Sequence, residues 1–372
     1  MQARGTIACH DTRMVRITSV AALLPENAHS QAALADLLAP LLTPDERLWP
    51  TIHRVHASEG IDTRHLALDL GDYEALTSFQ LTNDAFLETG TELAATAATQ
   101  ALADAGLTPA DVDFLFFTSV TGIGAPSIDV KLATRLGLRS DVKHIPVFGL
   151  GCVGGATGIA RVRDYLQGHP RDVALMVSVE LCSLTLQRGD ASMANIVSSG
   201  LFGDGVAVAV MVGDERPEGG VEVVDSRSAL YPDSLDQLGW DIGGSGFRIV
   251  LSPSIADIVE EHLGDDVRAL LAAHDLTVAD VQTWIAHTGG PRILESAALS
   301  LGLPDEAFAT SWASLARAGN LSSSAVLHVL ADELAAGGQP PGSVGVLFAF
   351  GPGVCAEVVL LRWPDGPAQE AS

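Results

Sequence analysis

The chain of 372 residues sets 46 acidic against 21 basic side chains, a formal net charge of −25. That excess excludes a nucleic-acid backbone or an anionic membrane surface as partner, since both require a basic face. A content of 47% hydrophobic residues with only 5% aromatics fits an α/β protein with an ample Ala/Val/Leu core, and excludes a disordered chain.

Residues 1–14 are polar and unpatterned and read as a flexible extension, mirrored by a tail at 364–372. No signal peptide and no apolar run of membrane-spanning length is recognisable, so a cytoplasmic protein is expected. The four cysteines, Cys9, Cys152, Cys182 and Cys355, form no CxxC pair and no zinc spacing and are read as reduced thiols. Val15 to Leu24 alternates as a first strand, and Ser30 to Leu42 predicts a helix. His53, His56 and His65 fit no metal pattern and are read as solvated. Asn83 to Gly106 predicts a long Ala-rich helix ended by glycine. A strand at Phe114 to Ser119 and a helix at Ile128 to Leu136 follow.

The next stretch, VFGLGCVGGATGIARVRDYL from Val147, carries the first chemistry. Ile145 to Leu150 reads as a short buried strand, the glycines at 149, 151, 154 and 155 allow a sharp turn, and apolar residues then recur at helical spacing. Cys152 therefore stands where a strand becomes a helix. Unsatisfied N–H groups and the positive helix end there favour a thiolate, the nucleophilic form. Val173 to Val179 reads as a strand buried on both faces, and Ser198 to Gly213 as a helix end, a tight turn at Gly203 to Gly205 and a strand.

The later chain repeats the earlier one. LTVADVQTWIAHTGG from Leu276 echoes LTPADVDFLFFTSVTG from Leu107, an offset of 276 − 107 = 169, and Gly319-Asn320 falls opposite Gly151-Cys152 at 320 − 152 = 168. Two halves are expected, 15–213 and 214–363, packed about a pseudo-twofold axis that brings equivalent strand ends together. Cys152, Asn320 and His287, which ends the strand before Asn320, would then meet. A thiolate, an imidazole and a carboxamide suit acyl transfer and carbon–carbon bond formation. His287 would hold Cys152 as a thiolate beside an imidazolium, and His287 with the Asn320 amide would stabilise an enolate made by decarboxylation, a step that needs neither metal nor cofactor.

GLGCVGG at Cys152, LFGDG at 201–205, GF at 246–247, HTGGP at 287–291, GNLSSS from Gly319 and FGPG at 350–353 together resemble the type III polyketide synthases, the chalcone synthase superfamily, from about Val15 to Trp363. The resemblance implies a thiolase fold of duplicated αβαβα layers, a homodimer, and acyl-CoA and malonyl-CoA as substrates. It implies Cys152, His287 and Asn320 as catalytic residues and Phe202 and Phe247 as gatekeepers between a coenzyme A tunnel and the cavity. Thr121, Cys182, Thr185 and Ser322 would line the pocket, and Ala125 stands where plant enzymes push a methionine into the partner's cavity. Arg54 matches a residue that holds the coenzyme A phosphates, whereas its usual lysine neighbours are Thr51 and Ser58.

Lys131, Arg135, Arg139 and Lys143 are further candidates for a basic tunnel mouth. The small or apolar lining points to a fatty acyl starter and an alkylpyrone or alkylresorcinol product. The alternatives are a tetrahydroxynaphthalene-type synthase primed by malonyl-CoA alone, an initiating ketoacyl synthase, and a catalytically idle scaffold. Delivery of the starter by an acyl donor protein stays open.

Overall fold

The computed structural model describes residues 13–364, so all but the last two residues of the expected extension, all but the first residue of the tail, and Cys9 lie outside the described residues. The first half runs β1 (Val15–Leu23), β2 (Asn27–Ser30), α1 (Gln31–Leu42), α2 (Trp49–Ala57), β3 (Thr63–Leu66), α3 (Phe79–Asp104), β4 (Val112–Ser119) and α4 (Ile128–Leu136). It continues through β5 (Lys143–Phe148), α5 (Gly154–Gly168), β6 (Val173–Leu181), α6 (Met193–Leu201) and β7 (Asp204–Val212). The second half holds β8 (Val221–Leu230), β9 (Leu238–Gly243), β10 (Gly246–Leu251), α7 (Ile255–Ala272), β11 (Val281–Ala286), α8 (Pro291–Leu301), α9 (Ala309–Ala318), α10 (Ala325–Ala336), β12 (Val344–Gly351) and β13 (Cys355–Arg362).

Nine strands form one mixed sheet in the order β11-β12-β13-β8-β1-β7-β6-β4-β5. The halves meet at β1 and β8, which pair only from Val15↔Val223 to Ile17↔Val221. Away from that seam the sheet splits around α5 and α10. One core packs α3 and α4 on the outer face of β4, β6 and β7, with Ala94, Ala98, Leu115 and Val177 at its centre. A second joins α5 and α10 to the inner faces of both halves through Ile159, Val326 and Leu347. A third packs α7 and α8 outside β11 to β13, through Val259, Leu294 and Val346. The succession helix, sheet, helix, sheet, helix is the five-layer αβαβα arrangement expected from the resemblance.

The duplication is visible in detail. Thr108 and Asp111 form a capping box before β4, and Thr277 and Asp280 form the same box before β11. Both α4 and α8 end on a left-handed glycine, Gly137 and Gly302, where only glycine turns without steric cost. One correspondence shifts. The short 3-10 turn Gly151–Val153 that leads into α5 matches Ser322–Ser324 leading into α10, an offset of 322 − 151 = 171. Cys152 is thus opposite Ser323, and Asn320 lies three residues earlier, in the turn that closes α9.

Three local expectations change. The strand at 145–150 is not buried: β5 is the sheet edge, with Ile145 and Phe148 about half exposed. An apolar run cannot tell a core strand from an edge whose cover is another chain. Gly203 and Gly205 serve close approach rather than a turn, because a Cβ on Gly203 would strike the Ala318 carbonyl and one on Gly205 would meet Leu321 at 2.9 Å. His56 is buried, not solvated: its Nε2 lies 3.2 Å from the Ile196 carbonyl and 3.1 Å from Ser199 Oγ, and burial lowers its pKa to about 4.

The central contact yields a test. A Cβ on Gly155 would run into the Ser323 carbonyl and lie 2.9 Å from Val326, so α5 and α10 touch through that hydrogen. Gly155→Ala is expected to cost about 1–3 kcal/mol by overpacking, read as a lower midpoint in chemical denaturation. An unchanged midpoint would mean the two helices separate freely.

Candidate active site

The turn that presents Cys152 is set by its neighbours. Gly149 and Gly151 adopt positive φ (98° and 56°), and a Cβ on Gly151 would clash with the Pro352 ring after β12. The backbone therefore crosses close over that loop before α5 begins at Gly154. The Cys152 thiol donates to Ser322 Oγ at 3.7 Å. A cavity of about 390 Å³ opens beside it, walled by Val120, Cys182, Phe202, Trp240, Ser322 and Pro352.

Asn320 is locked by its main chain. Its N–H donates to the Leu201 carbonyl and its own carbonyl accepts from Gly203 N–H, both at 2.9 Å, tying it to Phe202 as a two-residue bridge. Its side-chain oxygen accepts from Ser322 N–H at 2.8 Å. The oxygen being occupied, the NH2 end is the free donor, and Asn320 lies close enough to Cys152 to favour its thiolate. His287 follows β11, its N–H bonded to the Phe348 carbonyl of β12 at 3.0 Å, and Thr288 donates to the Gly319 carbonyl at 3.5 Å, next to Asn320. The imidazole is buried, and its Nδ1 has no hydrogen-bond partner. The fold thus carries all three sequence-predicted residues to the strand ends on one side of the central helices.

Electrostatics correct the expected resting ion pair. Burial pushes the Cys152 thiol up to about 12, with the nearby Glu180 charge adding to it, and burial alone drives His287 down to about 3. Desolvation opposes the helix-end field here and favours the neutral form of both groups.

Glu180 is the residue that sequence reasoning passed over. It ends the otherwise apolar strand VALMVSVEL, and a carboxylate inside such a run was the available signal. It is wholly buried and accepts from Thr121 Oγ1 at 3.0 Å, Val120 N–H at 3.2 Å, Ser119 Oγ at 3.4 Å, Ser322 Oγ at 3.3 Å and Ser323 Oγ. One carboxyl thereby ties the end of β4 to the turn before α10, on both sides of Cys152. Burial raises its pKa to about 7 despite these donors.

The remaining expected residues divide. Phe202 and Cys182 line the Cys152 cavity. Thr185 lines a neighbouring cavity of about 590 Å³ that shares Cys182, Phe202, Trp240 and Ile249 with it. Thr121 spends its hydroxyl on Glu180 and the Leu181 N–H instead of facing the cavity. Phe247 lines neither of these two cavities. It is buried among Phe79, Phe148 and Trp240, with centroids at 5.3, 5.9 and 6.0 Å, and Trp240 and Ile249 take the wall. Ala125 faces outward, in a groove with Ile123, Pro126 and Phe148. Arg54 is exposed and reaches only Thr51 Oγ1, at 3.4 Å. Of the suggested basic mouth, Arg135 pairs with Glu92, Arg139 with Asp113 and Asp141, and Lys143 with Asp172. Among the described residues no group of three or more His, Cys, Asp or Glu is placed to hold a metal ion, and no helix is long and apolar enough to cross a membrane.

Duplicated αβαβα layers with a cysteine at a strand-to-helix turn and a histidine and an asparagine at the matching strand ends define a thiolase-fold condensing enzyme. The chain belongs to the chalcone and stilbene synthase family of type III polyketide synthases: the family model for the N-terminal domain matches residues 54–216 and that for the C-terminal domain residues 222–363. It is 50% identical over 367 residues, 97% of each chain, to 1,3,6,8-tetrahydroxynaphthalene synthase of Streptomyces peucetius subsp. caesius. It is 31% identical to an alpha-pyrone synthesis polyketide synthase-like protein of Mycobacterium tuberculosis, over 94% of this chain and 91% of that one. Among solved structures, 1,3,6,8-tetrahydroxynaphthalene synthase from Streptomyces coelicolor A3(2) superposes with a TM-score of 0.89 at 30% identity, covering 94% of this chain and 100% of that chain. These relatives support the malonyl-primed alternative better than the fatty acyl starter.

The buried carboxyl gives a pH test. Glu180 has its folded pKa raised from 4.5 to about 7, so the folded protein binds the proton more tightly, and stability falls as pH rises from 4.5 through 7. Glu180→Gln removes that slope, and its stability relative to the parent is expected to improve from pH 5 to pH 8. Denaturation midpoints measured across that range should diverge; a constant difference would show that the carboxyl titrates normally.

Proposed function

We propose that this chain is a 1,3,6,8-tetrahydroxynaphthalene-type synthase that uses malonyl-CoA as both starter and extender. The observation that carries the reading is the end-to-end identity of 50% to a protein of that activity. The cavities are consistent with it, because the space next to Cys152 is bounded at once by Phe202 and Trp240 rather than opening as a straight acyl channel.

In this reading Cys152 is the nucleophile and passes its proton to His287 as sulfur attacks the malonyl-CoA carbonyl, and coenzyme A departs with that proton. An extender malonyl group loses CO2, and the Asn320 NH2 and His287 stabilise the enolate oxygen. The enolate attacks the Cys152 thioester, a carbon–carbon bond forms and the sulfur leaves. Decarboxylation supplies the carbanion, so the cycle calls for no resident metal or cofactor. In this reading coenzyme A docks at a cavity of about 880 Å³ between α6, the end of β10 and the start of α8, which Arg292, Gly289 and Gly290 line. Coenzyme A thioesters and the unpaired thiols of Cys152, Cys182 and Cys355 fit a reducing, cytoplasmic setting.

The working unit we propose is a homodimer built on β5. Its unpaired strand edge and the exposed Ile145, Phe148 and Ile123 form an apolar border that another copy would cover. The adjoining groove contains Ala125, whose place at a subunit boundary the family resemblance requires.

Incubation with malonyl-CoA alone, followed by mass spectrometry, should give tetrahydroxynaphthalene or its oxidation product. Cys152→Ala should give none, and Asn320→Ala should lower turnover roughly 10²- to 10³-fold. A strict requirement for a fatty acyl-CoA would sink the malonyl-primed reading. Ile145→Asp is expected to halve the mass measured by light scattering, whereas an unchanged mass would place the interface elsewhere.

A further inference from the structure

We propose that Arg64, which lines the chamber adjoining Cys152, selects the starter: its guanidinium, two of whose nitrogens have no hydrogen-bond partner among the described residues, turns to hold the retained carboxylate of a malonyl group. This rests on the malonyl-primed reading above and deepens it.

Arg64 lies on β3 and is 2% exposed. Its Nη1 donates to the Ser199 carbonyl at 2.5 Å and to the Phe202 carbonyl at 2.9 Å, holding the end of α6. Its Nε and Nη2 are buried and have no partner. Leaving charged donors unsatisfied in the interior is costly, so these two nitrogens favour an acceptor brought to them. Asp204 and Glu59 lie close enough to favour the cation, yet they do not fill that role. Asp204 accepts from Ala67 N–H at 2.7 Å and from Ser183 N–H at 2.8 Å and its hydroxyl, and no hydrogen bond joins it to Arg64.

The chamber that Arg64 lines has a volume of about 590 Å³ and is walled by aliphatic groups such as Leu34, Leu38 and Leu66 together with the neutral polar Tyr73, Thr185 and Asn195. Cys182, Phe202, Trp240 and Ile249 border both it and the Cys152 cavity, so the two spaces adjoin. In a protein of net charge −25, a buried anion needs a dedicated cation.

The chemistry says which anion. Each extension adds carbons in pairs, a naphthalene skeleton has an even number of them, and a malonyl starter brings an odd one, so its carboxyl is lost as CO2 before the product is complete. Loading breaks only the bond between the acyl carbon and coenzyme A sulfur and leaves that carboxylate in place. During extension it is the distal end of the chain. Bidentate contact with Nε and Nη2 suits a carboxylate and suits no alkyl terminus. After the last condensation the distal β-keto carboxylate leaves as CO2, and its electron pair takes a proton from water.

The test compares malonyl-CoA alone with butyryl-CoA plus malonyl-CoA for the parent, Arg64→Gln and Arg64→Lys, with circular dichroism to check folding. Arg64→Gln should raise KM for malonyl-primed synthesis and lower its kcat/KM roughly ten- to a hundredfold, while butyryl-primed product stays within about twofold and Arg64→Lys recovers part of the loss. Ser198→Asp leaves Arg64 in place and sets a rival carboxylate in the same chamber wall; it should also lower malonyl priming selectively, and it decides the matter if Arg64→Gln does not fold. Equal losses with both starters in folded Arg64→Gln, or an unchanged starter ratio in Ser198→Asp, would overturn the proposal while leaving the malonyl-primed function intact. A parent enzyme that makes no naphthalene from malonyl-CoA alone would instead defeat the functional reading itself.

Discussion

Helices α5 and α10 lie back to back between the two sheet faces, and the approach is so close that Gly155 receives the Ser323 carbonyl where a side chain would be. Everything at the site hangs on that contact. It fixes the turn that carries Cys152 against the turn that carries Ser322 to Ser324, and so decides how far the first half's sulfur lies from the second half's amide and imidazole. The buried Glu180 carboxyl reinforces it with donors from both sides, Thr121 and Val120 from one half, Ser322 and Ser323 from the other. A charge-capable group in this position costs desolvation, and its raised pKa shows that cost. Its many directional bonds hold a geometry that apolar packing alone would leave free to slide.

Burial also governs the chemistry. The same exclusion of water that favours the neutral forms of Cys152 and His287 strengthens any hydrogen bond made inside the site. The Asn320 amide has its oxygen already committed to Ser322 N–H, which leaves its NH2 as the free donor.

The acidity of the chain sharpens the role of its few placed cations. Arg135, Arg139 and Lys143 are paired with carboxylates on the surface, where screening makes such pairs weak contributors. Arg64 differs, being enclosed and only half satisfied. Steering of anionic coenzyme A by the whole surface is thus unfavourable, and recognition must be local.

By itself the sequence determined the secondary elements and the duplication, because these rest on near-neighbour effects: left-handed glycines after α4 and α8, capping boxes before β4 and β11, and an alanine-rich period in α3. It also singled out Cys152, His287 and Asn320, since the repeat ties distant strand ends together. Tertiary structure alone decided burial and its consequences. It made β5 an edge, moved the partner of Cys152 in the repeat from Asn320 to Ser323, buried Phe247 among other aromatics and set Trp240 in the cavity wall, and opposed the helix-end field with desolvation. No periodicity reports these, because solvent exclusion at a residue is a property of what the rest of the chain brings against it, and neither the depth of Glu180 nor the unpaired side of Arg64 exists until both halves have closed.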